Sequence, residues 1–457
     1  MKTILTLFLL TLSLFASYDA KLLDKIAYKA IEEEFAKKPL INRDVVLEYF
    51  PELSQKAAVF VTLRKNGRLR GCVGSLQPDK GLLYAVIDNA KKAAFGDSRF
   101  KPVTLDELKH LTIEVAVLSP LREVLYKDSA DLRKKIDKNN GIWLRLGDKS
   151  ATYLPSVWSE LQDFDAFFAS LCEKASLQKG CLAEHPKIYA YTVKKYSYNV
   201  KKMQKAGDFY PKWCEELQET IASYPLKERL PTALPRAFVV PHAGYIYSAK
   251  TANEAYRYIK DAQEIERVVV VAPSHHVAFK GLSVLEVDAY ETPCGELTVD
   301  KKYIAELKKS FRFLYEKKAH KKEHAGEVQM PLIHYYRPDM KVVEILYSQI
   351  ESATLARLLE RLLRDKTTLV VISSDLSHYH TLKEANRLDR ICIDALERKN
   401  RLILKEGCEA CGYRGIEALI VAARKLGLHV KILDYDTSYS YTKTSKSVVG
   451  YLSAIVY

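Results

Sequence analysis

Nine of the eleven histidines lie after residue 200, and several sit where apolar runs stop. "AFVVPHAGY" reaches His242, "RVVVVAPSHH" reaches His275 and His276, and "TTLVVISSDLSHYH" reaches Asp375, His378 and His380. "KEHAGEVQMP" adds His324 and Glu327 at a three-residue spacing, which on a helix would share one face. "GCEACGYRGI" adds Cys408 and Cys411. This C-x-x-C could be a redox pair or half of a zinc site, but no second C-x-x-C accompanies it. Cys411 stands just before a helix-like stretch, "GIEALIVAARKLG", whose dipole would favour a thiolate. Two imidazoles and a thiolate make a three-ligand metal site with open positions, suited to iron, copper or zinc. An acid and a histidine beside it, Asp375 and His378, would move protons to or from a substrate.

Such residues converge only if the elements carrying them do. The four valines of "RVVVVAPSHH", Arg267 to His276, read as a strand buried on both faces. Further strands are expected in "KVVEILYS", "HVKILDYD" and "VVGYLSAIVY", with helices such as "SAKTANEAYRYIK" and "ATLARLLERLLRD" between several of them. That alternation predicts an α/β domain with a largely parallel sheet, which gathers ligands outside the carboxyl ends of its strands. Residues before 200 differ: "AAVFVTLRKNGRLRGCVGSL" reads as a hairpin around Asn66-Gly67, among helices and alternating strands, so an α+β domain is expected. The seam falls near the polar stretch 194–211. Cys72, between Gly71 and Val73 with Arg70 close by, is a candidate reactive thiol, and Arg70 a candidate anion contact. The competing reading is a small cysteine on a bent hairpin strand.

The net charge of +14 over 457 residues comes from scattered lysines without interleaved aromatics, so no nucleic-acid partner is expected. "MKTILTLFLLTLSLFAS" has the look of a signal peptide cleaved near residue 16, which predicts an exported protein, periplasmic or secreted; a membrane anchor and a cytoplasmic chain are the alternatives. The eight cysteines lack a small-scaffold disulfide spacing, and mostly free or buried thiols are expected.

From Ala206 onward, "AGDFYP", "VVPHAGYIYSA", "APSHH", "EHAGEVQMPL", "SSDLSHYH" and "CGYRGI" resemble, in order, the motifs of the MEMO family. The resemblance implies a fold like that of extradiol dioxygenases, which use non-haem iron. It implies metal ligands at His242, His275 and Cys411, neighbours at Asp375 and His378, a pocket histidine at His324, and a contact at His276. A cysteine replaces the carboxylate of the extradiol enzymes, so ring cleavage itself is not implied. "LRGCVGSL", "FGDSRFKPVTLDEL", "IEVAVLSPL" and "ATYLPSVWSEL" resemble the AMMECR family, which implies a fold in two subdomains. The expected organisation is a leader over 1–16, an AMMECR-like domain over 21–200 and a MEMO-like domain over 203–457. Both families resemble members of a set that includes a radical SAM protein, which would be the partner. The leading expectation is a metal-dependent redox or oxygenase-like enzyme holding iron(II), with copper or zinc as alternatives, acting on a small molecule or peptide. Two rivals stand beside it: a non-catalytic metal- or peptide-binding module, and a zinc hydrolase.

Overall fold

The structure is a computed structural model that describes residues 18–225, 227 and 234–457; the expected leader lies outside the described residues. The chain divides into two compact units after Tyr198.

The first unit holds two four-stranded antiparallel sheets, each with its own apolar core. Strands Ala58–Lys65 and Arg68–Gly74 form the expected hairpin. Asn66 (φ 51°) and Gly67 (φ 79°) both adopt the left-handed backbone that a tight hairpin turn requires. Strands Leu111–Leu118 and Val193–Ser197 complete this sheet, and helices Ala20–Ala36 and Leu82–Phe95 bury Leu23, Ile31, Leu82 and Val86 in the core with its Val59 and Val61. In the second core, Trp158 stacks on Phe167 of helix Phe164–Lys174, with ring centroids 3.5 Å apart.

The second unit is built on a nine-stranded mixed sheet. Its centre is parallel, in the order Lys341–Ser348, Arg267–Pro273, Thr368–Ser373, Ala237–Val240. Val268 to Val271 are all fully buried, so helices and loops cover both faces, as the continuous valine run requires. The expectation of a largely parallel sheet is corrected at the margins. Val448–Val456 runs antiparallel to Ala237–Val240 and pairs antiparallel with both Val430–Thr437 and His378–His380. The connection from Thr437 to Val448 is too short for a crossover, so those two strands form a meander. Gly281–Val284 is antiparallel to Lys341–Ser348 on the other side. Among the described residues no helix is long and apolar enough to cross a membrane.

The cysteine expectation is overturned. Cys172–Cys181, Cys214–Cys294 and Cys392–Cys408 are disulfides, and only Cys72 and Cys411 are free. The C-x-x-C is therefore not a pair: Cys408 bonds back to helix Leu382–Glu397, and Cys294 ties its hairpin to helix Cys214–Ala222.

Candidate metal centre

Register gathers the strand ends. Val239 and Val271 both pair with Ile372 in the parallel ladders, so one row crosses three strands. Beyond that row each chain leaves the sheet at the same edge, bearing His242, His275 and Asp375 respectively.

The imidazole of His242 is fixed by a chain of donors. The Ser373 hydroxyl donates to the Ala325 carbonyl at 2.7 Å. The Gln329 amide nitrogen donates to the Pro241 carbonyl at 2.9 Å and to Ser373 Oγ at 2.8 Å, while its oxygen accepts from the Tyr256 hydroxyl. With its one proton already given, Ser373 Oγ can only accept from His242 Nδ1, 2.9 Å away. His242 thus carries its proton on Nδ1, and the bare Nε2 faces the Cys411 sulfur at 3.4 Å. Burial pushes the His242 pKa down to about 4, which keeps the ring neutral as a metal ligand requires.

Glu323 does the same for His275. Its side chain is fully buried and accepts from the backbone N–H groups of His275, His324 and Ala325 at 2.6, 3.0 and 3.1 Å. It also accepts from His275 Nδ1 at 2.9 Å and stands 3.2 Å from His324 Nδ1. Although burial alone would raise its pKa, these hydrogen bonds and imidazoles hold the carboxyl far below its ordinary range. The His275 proton is held on Nδ1, so Nε2 is left for the centre, an arrangement common behind metal-bound histidines. The rings of His242, His275 and His324 lie 5.2 Å apart in each pairing.

Cys411 arrives from the loop before helix Tyr413–Lys425. Its N–H donates to the Asp375 carbonyl at 3.2 Å, and the Gly412 N–H donates to Ser374 Oγ at 2.8 Å. A Cβ at Gly412 would lie 2.5 Å from Ser374 Cβ, so only glycine lets the loop approach the strand end this closely. The expected lowering of the thiol pKa by the helix is not what the surroundings produce. Burial, with the Asp375 charge adding to it, pushes the Cys411 thiol up to about 12, against the lowering effect of Ser374 and backbone N–H groups.

The donor atoms of His242, His275 and Cys411 lie within 4.8 Å of one another. Their types and spacing fit a soft-to-borderline metal ion. A second group, His275, Glu323 and His324, is equally tight. There, however, the carboxylate oxygens are already occupied by backbone and imidazole donors, so Glu323 orients rather than ligates. The three donors line a cavity of about 650 Å³ that also presents Asp375, His378 and His324, with Phe209, Tyr247 and Tyr451 among its walls. Asp375 is buried and its Oδ1 accepts from the His242 N–H at 2.7 Å. His378 owes its position to an irregular pairing with Val448–Val456. Tyr379, at φ 65°, turns its side chain outward while His378 faces the cavity.

Other expectations are met differently. His276 is exposed, its ring centroid 6.0 Å from that of His324. Glu327 does not share a helical face with His324, because residues 325–328 form a turn ahead of helix Gln329–Tyr336. As a substrate contact it is corrected: Glu327 is buried and accepts from the N–H groups of Gln204 and Lys205 and from the Tyr210 hydroxyl. Glu323, Ser373 and Gln329 were not singled out from the sequence. Glu323 had one visible signal, an acid directly preceding a histidine, but its reach to His275 is set only by the fold.

Residues 201–455 match the family described as Memo-like protein, and residues 24–196 match AMMECR1. A MEMO1 family protein of Aquifex aeolicus is 37% identical over 267 residues, covering 55% of this chain and 96% of its own. One from Archaeoglobus fulgidus is 31% identical over 261 residues, covering 55% and 97%. The chain belongs to the Memo-like protein family. It is a fusion, with an AMMECR1 domain ahead of the Memo-like domain. The crystal structure of an uncharacterised Pyrococcus horikoshii protein is also similar, with 34% identity, a TM-score of 0.35, and 38% of this chain and 89% of that one covered.

In the AMMECR1 domain, Cys72 sits on strand Arg68–Gly74, 3.3 Å from Thr62 Oγ1, and its N–H donates to Asp97 at 2.9 Å. The expected influence of Arg70 is corrected. Arg70 pairs with Glu107 at 3.0 Å, and Cys72 instead has Arg99, which binds both Asp97 and the Cys72 carbonyl, with Lys174 also near. Gly71 is required here because a Cβ would lie 2.1 Å from the Ala93 carbonyl oxygen.

Proposed function

We propose that the Memo-like domain is a metal-dependent redox enzyme of the non-haem iron type, with His242, His275 and Cys411 as ligands. The observation that carries this reading is the convergence of two bare Nε2 atoms and one sulfur, with each imidazole's other nitrogen already held by Ser373 or Glu323. Bound there, iron(II) would supply redox chemistry and open positions for substrate. The chain's own residues do the rest. Asp375 and His378 hold or move a proton at the cavity wall, and His324 offers a third imidazole to the substrate. Phe209, Tyr247 and Tyr451 limit water, and the volume suits a small molecule or a peptide side chain. The cysteine ligand, the expected extradiol-like architecture and the open donor set support an oxidative reaction other than ring cleavage.

Purification without oxygen, followed by metal analysis of the parent, His242→Ala and Cys411→Ala, tests the reading. Stoichiometric iron that both substitutions remove supports it. Redox-inert zinc in its place shifts the assignment to hydrolysis, and a parent without metal overturns it. We further propose an oxidising compartment for the chain, supported by its disulfides. The pairing of the two domains supports a shared task with a radical SAM partner, and Cys72 beside Arg99 is proposed as the reactive thiol of the first domain.

A further inference from the structure

Residues 323–328 have two sides. One side supports both histidine ligands. Glu323 accepts from His275 Nδ1, and the Ala325 carbonyl takes the Ser373 proton, which leaves Ser373 Oγ to accept from His242. The other side meets two buried acids and one cation. Glu327 Oε1 accepts from the N–H groups of Gln204 and Lys205 and from the Tyr210 hydroxyl, while its Oε2 stands 3.7 Å from Lys201 Nζ. Glu344 projects from strand Lys341–Ser348. Its Oε2 accepts from the Tyr290 hydroxyl at 2.9 Å and lies 2.7 Å from His320 Nδ1, and its Oε1 is 3.5 Å from the same ammonium. Lys201 comes from strand Val200–Lys201, which pairs in parallel with Ala289–Thr292, and its Nζ lies 5.2 Å from the centre of the Tyr290 ring. The three charged side chains are at most 7% exposed. Two carboxylates in so dry a place stay charged only with a cation between them. Although burial alone would raise it, the Lys201 charge, with His320 and Tyr290, holds the Glu344 carboxyl down to about 2. Gly326 transmits the position of this cluster: a Cβ there would lie 2.0 Å from Glu344 Oε1, so the turn rests directly on that acid.

We propose that Lys201 is a positioning residue of the metal centre: its ammonium clamps Glu327 to Glu344 and so fixes residues 323–328 behind His242 and His275. The inference rests on the metal-binding reading above. Its sign separates it from plain electrostatics. Deleting a cation near a metal site would by charge alone strengthen metal binding, whereas loss of the clamp weakens it. Cobalt(II) is titrated into the metal-free full chain, with affinity read by chelator competition and folding by circular dichroism. Lys201→Met should lower cobalt affinity at least tenfold, in the range seen for partners of metal-bound residues. Lys201→Met/Glu327→Gln, which removes one acid together with the cation, should recover most of that loss. Leu359→Ala, a cavity in the helix-packed core, should lower the melting temperature and leave affinity within twofold of the parent. Should Lys201→Met not fold, Lys201→Gln takes its place, with a loss of at least about fivefold expected because one donor remains. A parent that binds cobalt while the folded Lys201 variant binds it equally or more tightly would overturn the inference and leave the metal-binding reading standing. A parent that binds no cobalt would sink both.

Discussion

Glu323→Gln separates an orienting carboxylate from a merely buried one. The substitution keeps the size but replaces one acceptor oxygen by a donor NH₂. In the protein both oxygens face N–H groups: Oε2 that of His275, and Oε1 those of His324, Ala325 and the His275 ring. One amide hydrogen must then confront a donor, and the charge-assisted bonds become neutral ones. Hydrogen bonds to a buried charge contribute about 1.5–3 kcal/mol each, and stranding one buried donor costs about 1–3 kcal/mol. A net loss of roughly 3 kcal/mol corresponds to a fall of about 6–12 °C in the melting temperature of a domain this size. Metal affinity, read by competition with a chromophoric chelator at pH 7, should fall about 10–100-fold, as for other partners of metal-bound histidines. The sign with pH is fixed by the depressed carboxyl. Its stabilisation is fully present above the unfolded value of about 4.3 and fades as the solution is acidified through the folded value, so the difference between parent and variant narrows below about pH 4. A lowered melting temperature with metal affinity within twofold of the parent would refute the orienting role. An unchanged melting temperature would refute the network.

Metal binding at pH 7 should release about one proton, since the Cys411 thiol stands near 12 and must ionise while His242 is already neutral; calorimetry in buffers of differing ionisation enthalpy counts it, and zero protons would exclude the thiolate as ligand. Gly412→Ala should cost about 1–3 kcal/mol by overpacking against Ser374 and lower metal affinity with it, measured by thermal unfolding and chelator competition. Under non-reducing denaturation only Cys72 and Cys411 should label with maleimide; labelling elsewhere contradicts the pairing. Removing Cys214–Cys294, which closes a separation of 80 residues, should destabilise most among the three, by about 4 kcal/mol on the chain-entropy model.

The parts of the site legible in the sequence were those set by local pattern. Apolar runs ending in histidine announced parallel strands, and parallel strands end at one edge, so the convergence of His242, His275 and Asp375 followed from topology alone. Glu327 shows where that reasoning fails. Its spacing from His324 has meaning only on a helix, and the segment is a turn, so the acid points into a different polar cluster. Arg70 fails for a related reason: proximity in sequence to Cys72 is outweighed by Glu107, which approaches from a distant helix. Ser373 and Glu323 were illegible because each acts on a histidine 131 or 48 residues away.

The disulfides bear on why Cys411 can serve as a ligand at all. In an oxidising compartment a C-x-x-C would ordinarily close on itself. Here Cys408 is committed to Cys392, on the helix beside the loop, so the residue three positions before Cys411 offers it no partner thiol. Burial adds a second protection. Thiol–disulfide exchange proceeds through the thiolate, and a thiol held near 12 supplies almost none at neutral pH. The same burial that shields the free thiol makes a cation the one neighbour able to ionise it, because a positive charge between Cys411, His242 and His275 acts directly against the desolvation that raised it. Cys411→Ser therefore tests the environment as well as the ligand. The alcohol is far harder to ionise than the thiol, so metal affinity should fall by more than the orienting variant Glu323→Gln loses, while the melting temperature of the metal-free protein stays close to that of the parent. Metal affinity in Cys411→Ser within twofold of the parent would mean that the sulfur is a bystander and the histidines alone hold the metal.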